Sequence, residues 1–104
     1  PPYSKAGLGE KEARAKNLDC RVVKMNAAAI PKSKVLKKSE GMLKALIDNK
    51  TGSILGAALF CAGSHEIINM IKLAMDNDLP YTALRDFIYT HPTMSEGLND
   101  LFSL

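Results

Sequence analysis

The sequence predicts an α+β domain, an antiparallel sheet with helices on one face, and three observations predict it. Strand-like segments rich in β-branched and apolar residues gather before Cys61, and segments with helical spacing follow it. Two apolar stretches, Met42–Asp48 and Ser53–Phe60, are joined by Asn49-Lys50-Thr51-Gly52, a polar link with residues that tolerate positive φ, as a β-hairpin requires. At 104 residues, 46% hydrophobic and 24% charged, the chain can bury one core but not two.

In chain order, Leu8–Asn17 begins with acids and ends with bases, which suits a helix dipole and predicts a short surface helix. Cys20–Met25 carries Val22 and Val23 in partial alternation and reads as a strand, which Pro31 is expected to interrupt or end. The second hairpin strand is apolar on both faces and is therefore expected at the centre of the sheet. Over Ser64–Asp76, Ile67, Ile71, Ala74 and Met75 recur at helical spacing, while Ser64 and Glu66 suit a first turn, so a long core helix is expected there. Pro80 ends it. Thr82–Ile88 then reads as a shorter helix, and Leu98, Leu101 and Phe102 space out a final one running into the C-terminus.

Several function classes are disfavoured by composition. Trp is absent, and the longest apolar run, Ile54 to Gly63, falls far short of the roughly 20 residues that cross a bilayer, so no membrane partner is expected. Pro1-Pro2-Tyr3-Ser4-Lys5 has no apolar leader, and the lack of an initiator methionine suggests a fragment or a processed chain. Cys20 and Cys61 lie too far apart for a C-x-x-C pattern and read as small buried hydrophobes in a reducing, cytoplasmic setting. Within the net charge of +3, Lys32, Lys34, Lys37 and Lys38 form a cluster without interleaved aromatics and next to Glu40. A solvated loop or strand face is expected there, and no nucleic-acid partner. Cys61, His65 and Glu66 could join His91 around a metal. Gly63-Ser64 breaks helical spacing between them, and no metal is assigned. No G-x-G-x-x-G, G-x-x-x-x-G-K-[ST] or G-x-S-x-G motif is present.

The richest stretch is Tyr89-Thr90-His91-Pro92-Thr93-Met94-Ser95-Glu96. Thr93-Met94-Ser95-Glu96 has the spacing of an [ST]-x-x-[DE] capping box, whose two side chains satisfy backbone donors at a helix start. Alternatively, Glu96 orients one ring nitrogen of His91 and leaves the other free to move protons near neutral pH. Spacing alone leaves both open. A glutamate one turn into a helix can also serve both, since it approaches the loop before the helix.

His91-Pro92-Thr93-Met94-Ser95-Glu96 resembles the HPTxSE motif of the flavoprotein disulfide reductases, the family of glutathione reductase, dihydrolipoamide dehydrogenase and mercuric reductase. Three further blocks fit that family's C-terminal dimerisation domain in order. Gly7-Leu8-Gly9-Glu10-Lys11-Glu12-Ala13 resembles its GLTEEEA-like first helix, with Gly9 in place of a Thr cap. Gly41 to Gly56 resembles its hairpin, with Lys44, Asp48, Thr51, Leu55 and Gly56 in matching places, and Glu66-Ile67-Ile68 resembles the start of its long helix.

The resemblance implies that residues 1–104 are the dimerisation domain of a larger homodimeric flavoprotein, separated from its FAD and NAD(P) domains. It implies FAD and NAD(P)H in the full-length enzyme, and no cofactor held by this fragment. His91 and Glu96 would be the catalytic pair serving the partner subunit, and the backbone of Pro92, following a cis peptide bond, would touch the partner's FAD. The isolated chain would be inactive. The alternative is a stand-alone homodimerisation or interaction module without chemistry.

Overall fold

The computed structural model describes residues 1–104. Its elements run β1 (Tyr3–Gly7), α1 (Glu10–Ala15), β2 (Cys20–Asn26), a 3-10 turn (Ala27–Ala29), α2 (Pro31–Val35), β3 (Met42–Asp48), β4 (Ile54–Phe60), α3 (Ser64–Asp76), α4 (Tyr81–Asp86) and α5 (Gly97–Leu101). The strands form one antiparallel sheet in the order β1-β4-β3-β2.

The expected hairpin, β3–β4, is the middle of that sheet. Its turn is fixed by Asp48, whose carboxylate accepts the backbone N–H groups of Lys50 at 2.8 Å and Thr51 at 2.9 Å. These two bonds hold the Asp48 carboxyl below its ordinary range. Side-chain alternation sends Leu43, Ala45, Ala57 and Leu59 into a core closed by Ile67, Ile71 and Ala74 of α3, Leu84 of α4, and Leu98 and Leu101 of α5. Full burial of each large apolar side chain is worth about 1.5–3 kcal/mol.

α1 lies across the opposite face at one end of the sheet, tied down by a 2.7 Å ion pair between Glu10 and Lys44 of β3 and a 3.2 Å pair between Glu12 and Lys5 of β1. Its passage depends on Gly56 of β4, since a Cβ at that position would run into the backbone of Leu8. Gly9, at the helix start, offers no capping side chain. Glu12 accepts its N–H at 3.2 Å, which is one half of a reciprocal cap.

Several local expectations change. Strand β1 went unforeseen, because the residues it turns toward the helices are the small Ser4 and Ala6, a faint alternation. Pro31 stands beyond the end of β2 and opens α2, where its missing N–H costs nothing because a first-turn N–H has no intrahelical partner. Of the lysine cluster, Lys32 and Lys34 accordingly sit on α2, while Lys37 and Lys38 lie in the expected solvated loop after it, and none is on a strand face. Cys61 is buried and Cys20 only half-buried, both as free thiols. The helix expected over Thr82–Ile88 runs instead over Tyr81–Asp86, and Phe87 turns extended at φ −63°, ψ 141°.

Candidate active site

α5 presents the site. Leu98, Leu101 and Phe102 anchor it in the core, and Met94, only 8% exposed, pins the loop in front of it. Gly97 lets the helix sit against the chain between β2 and α2. A Cβ on Gly97 would come within 2.5 Å of Ile30 Cδ1 and 2.8 Å of Ile30 Cγ1.

The Thr93–Glu96 box closes as a cap, and the same carboxylate reaches His91. The Thr93 N–H donates to Glu96 Oε2 at 2.7 Å, and the Glu96 N–H donates to Thr93 Oγ1 at 3.2 Å, the reciprocal pair of a capping box. The same carboxylate lies 2.8 Å (Oε1) and 3.0 Å (Oε2) from His91 Nδ1. The His91 hydrogen bond, and after it the Thr93 N–H, holds the Glu96 carboxyl below its ordinary range. An ionised carboxylate only accepts, so Nδ1 carries the hydrogen and Nε2 is the nitrogen left for chemistry. The His91 side chain is 69% exposed, against 20% for Glu96. The pair is a surface base on a half-buried support. The His91-Pro92 peptide bond is cis.

The loop that brings His91 to this position is fastened at other points. Thr93 Oγ1 donates to the Thr90 carbonyl at 2.7 Å, and the Tyr89 hydroxyl donates to the Leu84 carbonyl at 2.8 Å. Burial pushes the Tyr89 phenol up to about 12. Asn99 of α5 donates through Nδ2 to the carbonyls of Arg85 at 2.8 Å and Phe87 at 2.9 Å. Nothing in the sequence signals the Asn99 contacts, which join residues 12 and 14 apart through backbone acceptors common to every residue type.

The other candidates disperse. Cys61 is fully buried and burial pushes its thiol up, whereas His65 and Glu66 are exposed on the first turn of α3. No three of the His, Cys, Asp and Glu side chains converge as a metal site would require. A surface hollow of about 400 Å³ beside His65 and another of about 550 Å³ beside α1 both lie away from His91. No helix is long and apolar enough to cross a membrane.

The site is an exposed histidine braced by a carboxylate, on an antiparallel sheet with three helices over one face. The model of the pyridine nucleotide-disulphide oxidoreductase dimerisation domain matches residues 1–102, and the chain belongs to that family. The probable pyridine nucleotide-disulfide oxidoreductase RclA of Escherichia coli is 54% identical over 104 residues, which is 100% of this chain and 24% of that protein. A dihydrolipoyl dehydrogenase of Rhizobium etli is 34% identical over 100 residues, 96% of this chain and 21% of that protein. The solved structure of the HOCl-induced flavoprotein disulfide reductase RclA from Escherichia coli superposes with a TM-score of 0.98 at 54% identity, covering 100% of this chain and 24% of that one. LpdA from Mycobacterium tuberculosis shares the fold, with a TM-score of 0.88 at 17% identity over 97% of this chain and 22% of that one. The chain thus spans about a quarter of the length of these relatives.

Proposed function

We propose that residues 1–104 are the C-terminal dimerisation domain of an FAD-dependent NAD(P)H disulfide oxidoreductase, a cytoplasmic homodimer whose FAD and NAD(P) domains lie elsewhere in the parent chain. In it, His91 and Glu96 handle the proton at the active site of the partner subunit. The observation that carries this reading is the division of the imidazole: Nδ1 is held by Glu96 at 2.8 Å on a side chain that is otherwise 69% exposed, a prepared base with nothing in its own chain to act on.

The chain lacks a glycine-rich phosphate cradle, and in this reading the backbone of Pro92 would touch the edge of the FAD held by the partner subunit. Bound FAD supplies the transfer of an electron pair from NAD(P)H to a cysteine pair. The residues of this chain act in the thiol–disulfide exchange that follows. His91 Nε2 first takes the proton of one protein thiol; the thiolate attacks the substrate disulfide, the S–S bond breaks, a mixed disulfide forms, and the departing thiolate takes that proton from Nε2. Neutral Nε2 then removes the proton from the second protein thiol. That thiolate attacks the mixed disulfide and restores the protein disulfide, and the second product sulfur, expelled as a thiolate, takes the proton from Nε2 and leaves as a thiol. Glu96 stays ionised throughout and keeps the proton on Nδ1.

In the full-length parent, His91→Gln should slow thiol–disulfide exchange by about 10²- to 10⁴-fold, the usual worth of general acid–base catalysis, and leave flavin reduction by NAD(P)H unchanged in stopped-flow absorbance. Equal loss in both half-reactions would remove the proton-transfer role. This chain alone should show no NAD(P)H-dependent disulfide reduction, and turnover by the purified chain would overturn the reading.

A further inference from the structure

The segment that carries His91 is held at both ends by one short helix. Glu96, at the start of α5, takes the far end through His91 Nδ1 and the Thr93 N–H. Asn99, three residues on and so on the same side of the helix, takes the near end through the carbonyls of Arg85 and Phe87 at 2.8 and 2.9 Å. Both acceptors are carbonyl oxygens, so the amide nitrogen must face them, and its two hydrogens match two acceptors.

These carbonyls belong to the last turn of α4 and the residue beyond it, where helical partners run out. Phe87 is 54% exposed and meets half-buried Tyr89 edge-on, with ring centroids 4.8 Å apart, and Ile88 is 92% exposed. Between the two grips, the Tyr89 hydroxyl donates to the carbonyl of buried Leu84 and its ring packs against the core, Thr93 Oγ1 donates to Thr90, and Met94 is buried.

We infer that Asn99 is a positioning residue for the His91–Glu96 pair: by clamping Arg85 and Phe87 to α5, it sets where the loop starts and keeps Nδ1 of His91 in reach of the Glu96 carboxylate. The inference rests on the proposed proton-transfer role only for its catalytic meaning, because the clamp itself is measurable in this chain without flavin or substrate.

The test uses ¹⁵N NMR of the imidazoles. The chain has two histidines, and His65, on the exposed first turn of α3, serves as the internal reference. At a pH where both rings are neutral, His91 should be almost wholly the Nδ1–H tautomer, and His65 should show the mixture of a free imidazole, rich in Nε2–H. Asn99→Ala should move His91 several-fold toward the His65 ratio, and Asn99→Asp, which keeps the size but turns two donors into acceptors, should do the same. Asn77→Ala is the control. It removes a comparable bond, to the Leu73 carbonyl at 2.9 Å at the end of α3, and should leave His91 unchanged.

An unaltered His91 tautomer in a folded Asn99 variant would overturn the inference, as would an equal shift in Asn77→Ala. Hydrogen exchange of the wild-type side-chain amides keeps the test decisive if neither Asn99 variant folds. Both Asn99 Nδ2 protons should exchange at least tenfold more slowly than those of exposed Asn17, and equal rates would overturn the clamp. A shifted His91 tautomer in an Asn99 variant whose parent enzyme keeps full turnover would count against the proton-transfer reading of His91 and leave the clamp standing.

Discussion

Glu96 closes a helix cap and braces an imidazole with the same two oxygens. Its folded-state pKa lies below the ordinary value of 4.5, so its stabilising effect is complete above that value and fades as the pH falls through the lowered one. Glu96→Gln should therefore flatten the loss of stability below about pH 4.5, read as urea midpoints against pH, while lowering stability at neutral pH. Tyr89 has the opposite sign. Its neutral form is favoured by burial, so its contribution is intact below the ordinary value of 10 and disappears as the pH rises through about 12. Tyr89→Phe should delete the tyrosinate absorbance step near pH 12. The doubling at Glu96 was legible beforehand, because a capping box has a fixed spacing and a histidine stood just ahead of it. Asn99 was not legible, because its partners are backbone carbonyls brought near by folding.

Helix α5 is five residues long, too short to persist by itself, and exists because the core takes Leu98, Leu101 and Phe102. Gly97 sets its distance from Ile30, so Gly97→Ala should cost about 1–3 kcal/mol by overpacking. At about 4–8 °C per kcal/mol for a domain of this size, the fall in Tm is readily seen by circular dichroism. In the larger helix α3, Ile71→Ala should cost about 2–5 kcal/mol by opening a cavity, measured by urea unfolding. The bounds of α3 were plain from its 3.6-residue periodicity, which persists over 13 residues and needs no tertiary information. Strand β1 and helix α2 lacked that advantage. One turns only Ser4 and Ala6 inward, and the other begins with a proline that reads equally well as the end of something.

At the scale of the whole chain, the sheet is built outward from its middle. Strands β3 and β4 are joined by a tight turn, whereas α2 lies between β2 and its partner, and α1, β2, α2 and β3 lie between β1 and its partner, with Cys20 opposite Asp48 and Tyr3 opposite Phe60. The short-range hairpin carries the smallest loop-closure entropy and should form early. Asp48→Ala, which removes the two turn bonds, should slow refolding about fivefold per kcal/mol lost and leave the unfolding rate nearly unchanged in stopped-flow chevrons. The strand order also fixes a timetable. Each edge strand leaves the ribosome before the central strand it will pair with, and at about 5–20 residues per second Tyr3 precedes Phe60 by roughly 3–11 s. Strand β2 can pair as soon as β3 emerges, but β1 has no partner for those seconds, so the interval in which it is open to wrong strand partners, or to a chaperone, ends only when β4 emerges.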